Sequence, residues 1–203
     1  MSNRDVFINC PFSKDYQLYF DAIVFVVIRS GFNPRCALES DDGGDNRFNK
    51  ICQIIAESNF GVHDISKTEL DTHTSLPRFN MPLELGLFLA AKKFGGRSQK
   101  RKTCIIFESK PYDYQKYMSD IAGQDIHFHK RSVKLLIEKL AAWLRRESGD
   151  DDVPGGNAIY LEFKLFKKAL PDLCRAARLK QREMIFSDLC RFAENWIVSL
   201  TIS

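Results

Sequence analysis

The sequence predicts an α/β fold, a flavodoxin-like five-stranded parallel sheet with helices on both faces, joined to a C-terminal helical extension. Three observations predict it. Short apolar runs rich in Val, Ile and Phe alternate with stretches of helical period, an order that demands parallel strands joined by right-handed crossovers. The runs number about five rather than eight, which selects an open sheet over a closed barrel. An acidic, glycine-rich stretch, Ser148-Gly149-Asp150-Asp151-Asp152-Val153-Pro154-Gly155-Gly156-Asn157, then ends the alternation, and the rest of the chain is helical in pattern. The expected division is therefore a nucleotide-binding α/β domain over 1–147, a linker over 148–157 and a helical extension over 158–203.

Each element has its own signal. Val6-Phe7-Ile8 is a short buried strand that runs into Asn9-Cys10-Pro11-Phe12. Residues 16–30 carry apolar side chains at nearly every turn and stop at Gly31, a helix with a glycine end. Residues 32–38 are extended, because Pro34 forbids a helix around it. The loop 39–45 is dense in Asp and Gly, and 47–58 places Ile51, Ile54 and Ile55 on one helical face. Residues 60–65 form the third strand, 66–79 a long polar loop, and Asn80 is a candidate N-cap for the next helix, with Pro82 in its first turn. Residues 92–102 are expected as a basic surface connector, 103–107 as the most apolar strand, 112–122 as a short helix, 126–128 as an edge strand and 132–146 as an amphipathic helix capped by Ser132. In the extension, two or three helices are expected, broken near Pro171. Lys164, Lys167, Lys168, Arg175, Arg178, Lys180 and Arg182 are expected on its solvated face. Its apolar side calls for docking on the sheet domain or for self-association.

Composition narrows the function classes. A chain of 203 residues with a formal charge of +4 has no basic excess that calls for a nucleic-acid partner. No leader-like apolar segment opens the sequence and no apolar run reaches membrane-spanning length, so the expectation is a cytoplasmic protein with no membrane partner. The six cysteines show no CxxC and no metal-ligand spacing, and the four histidines do not pair, so no metal site and no disulfide are expected. The sequence contains no GxGxxG, Walker loop or GxSxG, which removes the dinucleotide fold of the Rossmann type, ordinary NTP hydrolysis and the serine nucleophile elbow.

In an open parallel sheet, ligands bind beyond the carboxyl ends of the strands, so the loops there supply the candidate residues. They are Asn9 and Phe12 after the first strand, Arg35, Glu39 and Asp42 after the second with Arg47 opening the next helix, Asp64 and Ser66 after the third, and Arg78, Asn80 and Glu84 around the adjoining helix. Glu84 falls in what reads as a first helical turn, beside Gly86, which has no side chain to block a ligand. A helix-end charge is the competing explanation for it. Two carboxylates, Asp64 and Glu84, can divide the work of nucleophile or charge stabiliser and of sugar contact or proton carrier. Arginine forks suit phosphate oxygens, and Phe12 offers a base an apolar face. The competing explanations are that Arg35 pairs with Glu39 and that Asp64 caps the turn after it.

Four of these segments also resemble a known family. Val6-Phe7-Ile8-Asn9-Cys10-Pro11-Phe12, Gly31-Phe32-Asn33-Pro34-Arg35 with Ala37-Leu38-Glu39, His63-Asp64-Ile65-Ser66, and Pro77-Arg78-Phe79-Asn80-Met81-Pro82-Leu83-Glu84-Leu85-Gly86 look like bacterial TIR-like proteins, which lie near the nucleoside 2-deoxyribosyltransferases in fold. The resemblance spans roughly residues 5–145. It implies that Glu84 acts at the anomeric carbon of a ribosyl group and that Asp64 contacts sugar or base. It also implies cleavage of an N-glycosidic bond, most readily that of NAD as a substrate rather than a cofactor, with nicotinamide release or cyclisation, in anti-phage defence. Homo-oligomers or a defence-system partner protein go with that role. Deoxyribosyl transfer or hydrolysis, and a non-catalytic nucleotide sensor, are the alternatives. The Asn-Cys-Pro-Phe loop and the helical tail depart from the usual TIR pattern, and they bear on the substrate more than on the bond broken.

Overall fold

A computed structural model of the chain describes residues 4–39, 42–67, 79–149 and 153–202. Five strands, β1 (Asp5–Asn9), β2 (Asn33–Arg35), β3 (Phe60–Asp64), β4 (Thr103–Glu108) and β5 (Ile126–Phe128), form an all-parallel sheet in the order β2-β1-β3-β4-β5. This is the flavodoxin-like order, and its switch point lies between β1 and β3. The register there sets Asn9 beside His63, while Asp64 lies opposite Phe107 on β4.

Six helices cover the sheet: α1 (Gln17–Arg29), α2 (Arg47–Glu57), α3 (Asn80–Phe94), α4 (Val133–Ser148), α5 (Gly156–Ala176) and α6 (Phe186–Ile202). Helix α1 ends in a Schellman arrangement. Gly31 sits at φ +76°, and the N–H groups of Gly31 and Phe32 donate to the carbonyls of Ile28 and Val27. Every residue from Phe20 to Val27 on this helix is buried. A helix apolar all round needs cover on both sides, and α4, α5 and α6 complete that cover over one face of the sheet. Phe25 packs on Phe163, Phe166 and Trp196, so the extension shares one hydrophobic core with β1, β3 and β4. On the opposite face α2 and α3 form a single layer over Phe7 and Ile106.

The structure corrects the sequence reading in several places. Lys167 is no solvated charge: its Nζ donates to Asp21 at 2.5 Å, and Asp21 is 1% exposed on α1. Nearby, Arg29 forks onto Glu162 at 2.8 and 3.3 Å. Helix α5 runs through Pro171 unbroken. That proline is exposed in the last two turns, where water can take up the carbonyl it leaves unpaired. The second strand is only three residues long, because the chain turns from Cys36 onward. Residues 112–122 form two 3-10 turns (Asp113–Lys116 and Ser119–Ile121) instead of an α-helix, with Tyr112 left-handed at φ +62° ahead of them. Lys102, expected on a surface connector, is 1% exposed and donates to the Ile55 and Ser58 carbonyls at the end of α2, which pulls in its ammonium as a C-cap.

Two glycines differ in what surrounds them. A Cβ on Gly61 of β3 would lie 2.6 Å from His63 Nε2 and 3.0 Å from Phe88, so this residue admits α3 onto the sheet. Gly86 faces open space, with no atom within 4 Å of an added Cβ.

Candidate functional site

Of the residues expected in one crevice, Phe12, Glu39, Asp42, Arg47, Ser66, Asn80 and Glu84 line three cavities at the carboxyl end of the sheet. The first, of about 340 Å³, lies between the N-terminal ends of α2 and α3 and is lined by Arg47, Phe48, Ile51, Asn80, Leu83, Glu84 and others. Asn46 caps α2, its Oδ1 accepting from the Phe48 and Asn49 N–H groups, which fixes Arg47 as the first helical residue. Helix α3 starts differently from the sequence reading. Phe79 is the cap residue and makes no side-chain cap bond, Asn80 is already helical, and Glu84 is the fifth helical residue rather than a member of the first turn.

That shift matters for Glu84. A carboxylate in the first turn can bond the free N–H groups there, but one residue further along it cannot serve as a capping-box partner. Among the described residues no hydrogen bond or ion pair engages Glu84. Burial raises its pKa from 4.5 to about 7, and the Arg47 guanidinium opposes that rise. A half-buried carboxyl with no partner among the described residues, poised near neutral pH, thus lines a cavity with Asn46, Arg47 and Asn80 on its polar side and Phe48, Ile51, Leu83 and Leu87 on its apolar side.

Asn9 reaches this site indirectly. It is buried, and the two hydrogens of its amide are used on His63 Nδ1 (3.1 Å) and the Met81 carbonyl (2.8 Å). It thus ties the first turn of α3 to the switch point of the sheet. His63 is itself enclosed, and burial lowers its pKa to about 3.

The second cavity, of about 610 Å³, takes in Phe12, Glu39, Asp42 and Arg47 from the expected set. Its outer wall comes from Met184, Ile185, Phe186, Ser187 and Leu189 at the start of α6, which the sequence reading does not bring to the site. Asp42 accepts from the Gly44 N–H. Arg35 lines none of these three cavities. Its guanidinium forks onto Glu39 at 2.8 Å twice and also meets Asp5 and Glu57, so its donors are spent inside the protein.

Ser66 lines a third cavity, of about 270 Å³, whose walls include Tyr16, Tyr19, Lys67, His129 and Arg131; Asp64 does not line it but is hydrogen-bonded to Tyr16 and Ser66. Asp64 is fully buried beneath it. Tyr16 donates to Oδ2 at 2.5 Å, the Ser66 N–H donates to Oδ1 at 2.9 Å, the Ser66 hydroxyl also donates to Oδ1, and His129 Nε2 lies 3.3 Å from Oδ2. The acceptor sites of the carboxylate are thereby filled. The Arg131 N–H donates to His129 Nδ1, which puts that ring's proton on Nε2, pointing at Ser66 and Asp64. The three side chains resemble a Ser-His-Asp set only in composition, because this tautomer cannot take the serine proton. Burial and the neighbouring Asp64 raise the Tyr16 pKa well above its ordinary value.

Sequence alone gives no pointer to Tyr16 and His129, which lie 48 and 65 residues from Asp64. Arg78 lies outside the described residues. All six cysteines are free, and burial, with Asp64 next, pushes the Cys10 thiol up, against a role as nucleophile. Among the described residues no group of three His, Cys, Asp or Glu side chains could hold a metal ion, and no helix is long and apolar enough to cross a membrane. No protein-family model matches the sequence, and no curated protein matches it.

Proposed function

We propose that the protein is a TIR-like enzyme that cleaves the N-glycosidic bond of a nucleotide, with NAD as the leading substrate and Glu84 as the carboxylate at the ribosyl C1. The observation that carries this reading is the state of Glu84: unpaired among the described residues, half-buried, raised to about 7 and lining a cavity. A group held in that state at a cost to stability is a mark of a working site rather than of a helix end.

The lining of the cavity supports a particular leaving group. Among the described residues Glu84 is the only acid in it, so no second carboxyl is at hand to protonate a departing neutral base. Nicotinamide in NAD is already cationic and departs without a proton. The oxocarbenium-like transition state then needs only one negative charge close by, whether or not a covalent ribosyl ester forms. Arrival of a pyridinium beside Glu84 also favours the ionised form, as any cation does for a carboxyl. Arg47 is set to meet phosphate oxygens with its planar fork, and Asn80 is available to a ribose hydroxyl.

The test is incubation of the purified full chain with NAD and with a panel of nucleosides and deoxynucleosides, read by chromatography, for wild type and Glu84→Gln. Nicotinamide release by wild type alone supports the reading. Base release from deoxynucleosides with NAD left intact transfers it to the deoxyribosyltransferase class. Nucleotide binding by both proteins with turnover by neither makes the protein a sensor. Because the ionised carboxylate is the working form, NAD cleavage should rise as pH passes through about 7 and level off above it.

A further inference from the structure

The larger cavity shares one side chain with the Glu84 cavity, Arg47, and among the described residues no other lines both. Its apolar wall is assembled from three distant segments. Phe12 is 38% exposed, Leu38 44% and Ile185 64%, three large side chains left open to solvent that converge on the same space. Phe12 is held edge-on against Phe20, and Phe20 against Phe186, so this wall is anchored in the core and is not a loose loop. On the polar side, no hydrogen bond or ion pair among the described residues engages the Asp45 carboxylate or the Arg47 guanidinium, although both border the cavity. At about 610 Å³ it is in the usual range for a small-molecule site, and it is the larger of the two cavities that meet at Arg47.

An occupant must therefore present a flat apolar body to Phe12, Leu38 and Ile185, a hydroxyl donor to Asp45 and an anion to Arg47. A nucleoside phosphate has these three parts in that order: base, ribose diol, phosphate. Resting on the reading of Glu84 as the cleaving group, we propose that this cavity holds the second nucleoside of a dinucleotide substrate, with the bridging pyrophosphate at Arg47. The start of α6 then walls the base, and the C-terminal extension contributes this half of the dinucleotide site.

The test measures binding without turnover. AMP is titrated calorimetrically into wild type, Glu84→Gln, Ile185→Asp and Leu165→Asp. Ile185 is mostly exposed, so the aspartate does not endanger folding, yet it brings a charge against the base and repels the phosphate. Leu165, 57% exposed on α5, lines none of the three cavities and controls for a new charge on the extension. AMP should bind wild type, Glu84→Gln and Leu165→Asp alike, and Ile185→Asp at least about tenfold more weakly, or 1.4 kcal/mol. The same variant should raise KM for NAD by a similar factor. Absence of AMP binding to wild type, or equal binding by Ile185→Asp, overturns the proposal whatever Glu84 does. If AMP binding behaves as expected but NAD is never cleaved, the cavity assignment stands and the enzymatic reading of Glu84 falls.

Discussion

Replacing Glu84 with Gln should make the protein more stable at alkaline pH while removing its activity. The carboxyl has a pKa of 4.5 when exposed and about 7 in the folded chain. Below 4.5 it is protonated in both states and nothing is lost. As pH rises towards 7 the unfolded chain releases its proton and the folded chain keeps it, so the folded state loses ground, and above 7 the loss is constant. Each tenfold difference in proton affinity is about 1.4 kcal/mol, which makes the whole loss about 3 kcal/mol. Glu84 is only partly enclosed, so solvent screening halves this to about 1–2 kcal/mol. Glutamine has nearly the shape of the protonated acid and never ionises, and so escapes the loss. Urea unfolding at pH 5 and pH 8 reads the effect. The variant should match wild type within about 0.5 kcal/mol at pH 5 and exceed it by about 1–2 kcal/mol at pH 8, a rise in Tm of roughly 3–6 °C for a domain of this size. Equal stability at both pH values, or a wild type that gains stability between them, would refute the view of Glu84 as a carboxyl whose pKa is raised by burial, with no partner among the described residues.

Other perturbations test the frame that holds it. Gly86→Ala should stabilise by about 0.5–1 kcal/mol, since the position is mid-helix with open space around it; a lower Tm would refute this. Gly61→Ala should lower stability by about 1–3 kcal/mol in denaturant unfolding, because the new methyl meets His63 and Phe88. Lys167→Met alone leaves the buried Asp21 carboxylate with the Gln17 amide but no counter-charge and should cost about 2–4 kcal/mol, while adding Asp21→Asn should restore most of it in a double-mutant cycle. Asn9→Leu should leave the α3 end untied and show faster amide exchange in the first turns of α3 than in β4.

The strand-helix alternation is legible in the sequence because each strand is a short apolar run bounded by turn residues, and because parallel strands need helical crossovers. The extreme burial of α1 is legible too: apolar residues on every side of a helix require a second covering layer, and the extension is that layer. The illegible part is non-local. Nothing near Asp64 in the sequence announces that Tyr16 and His129 will fill its acceptor sites; Glu39, four residues from Arg35, announces one of its partners, but nothing announces Asp5 and Glu57. Helix ends escape by a single residue: Asn80 has the chemistry of a cap, but Phe79 takes that place, and the displacement changes the role open to Glu84. Between the two glycines, the sequence draws attention to the one beside a carboxylate, whereas close approach is required at the other, inside a strand. Composition marks lysines as surface charges, yet Lys102 and Lys167 each have a defined buried partner.

Because Phe25 and its neighbours on α1 touch the sheet side on one flank and Phe163, Phe166 and Trp196 on the other, the boundary near residue 149 separates stretches of sequence without separating folding units. A chain shortened there would carry an oily stripe into water and associate through it. Homologous domains that lack such a tail must present a more polar outward surface on this helix, so the residues facing out from α1 tell, in any related sequence, whether a covering helix pair is to be expected.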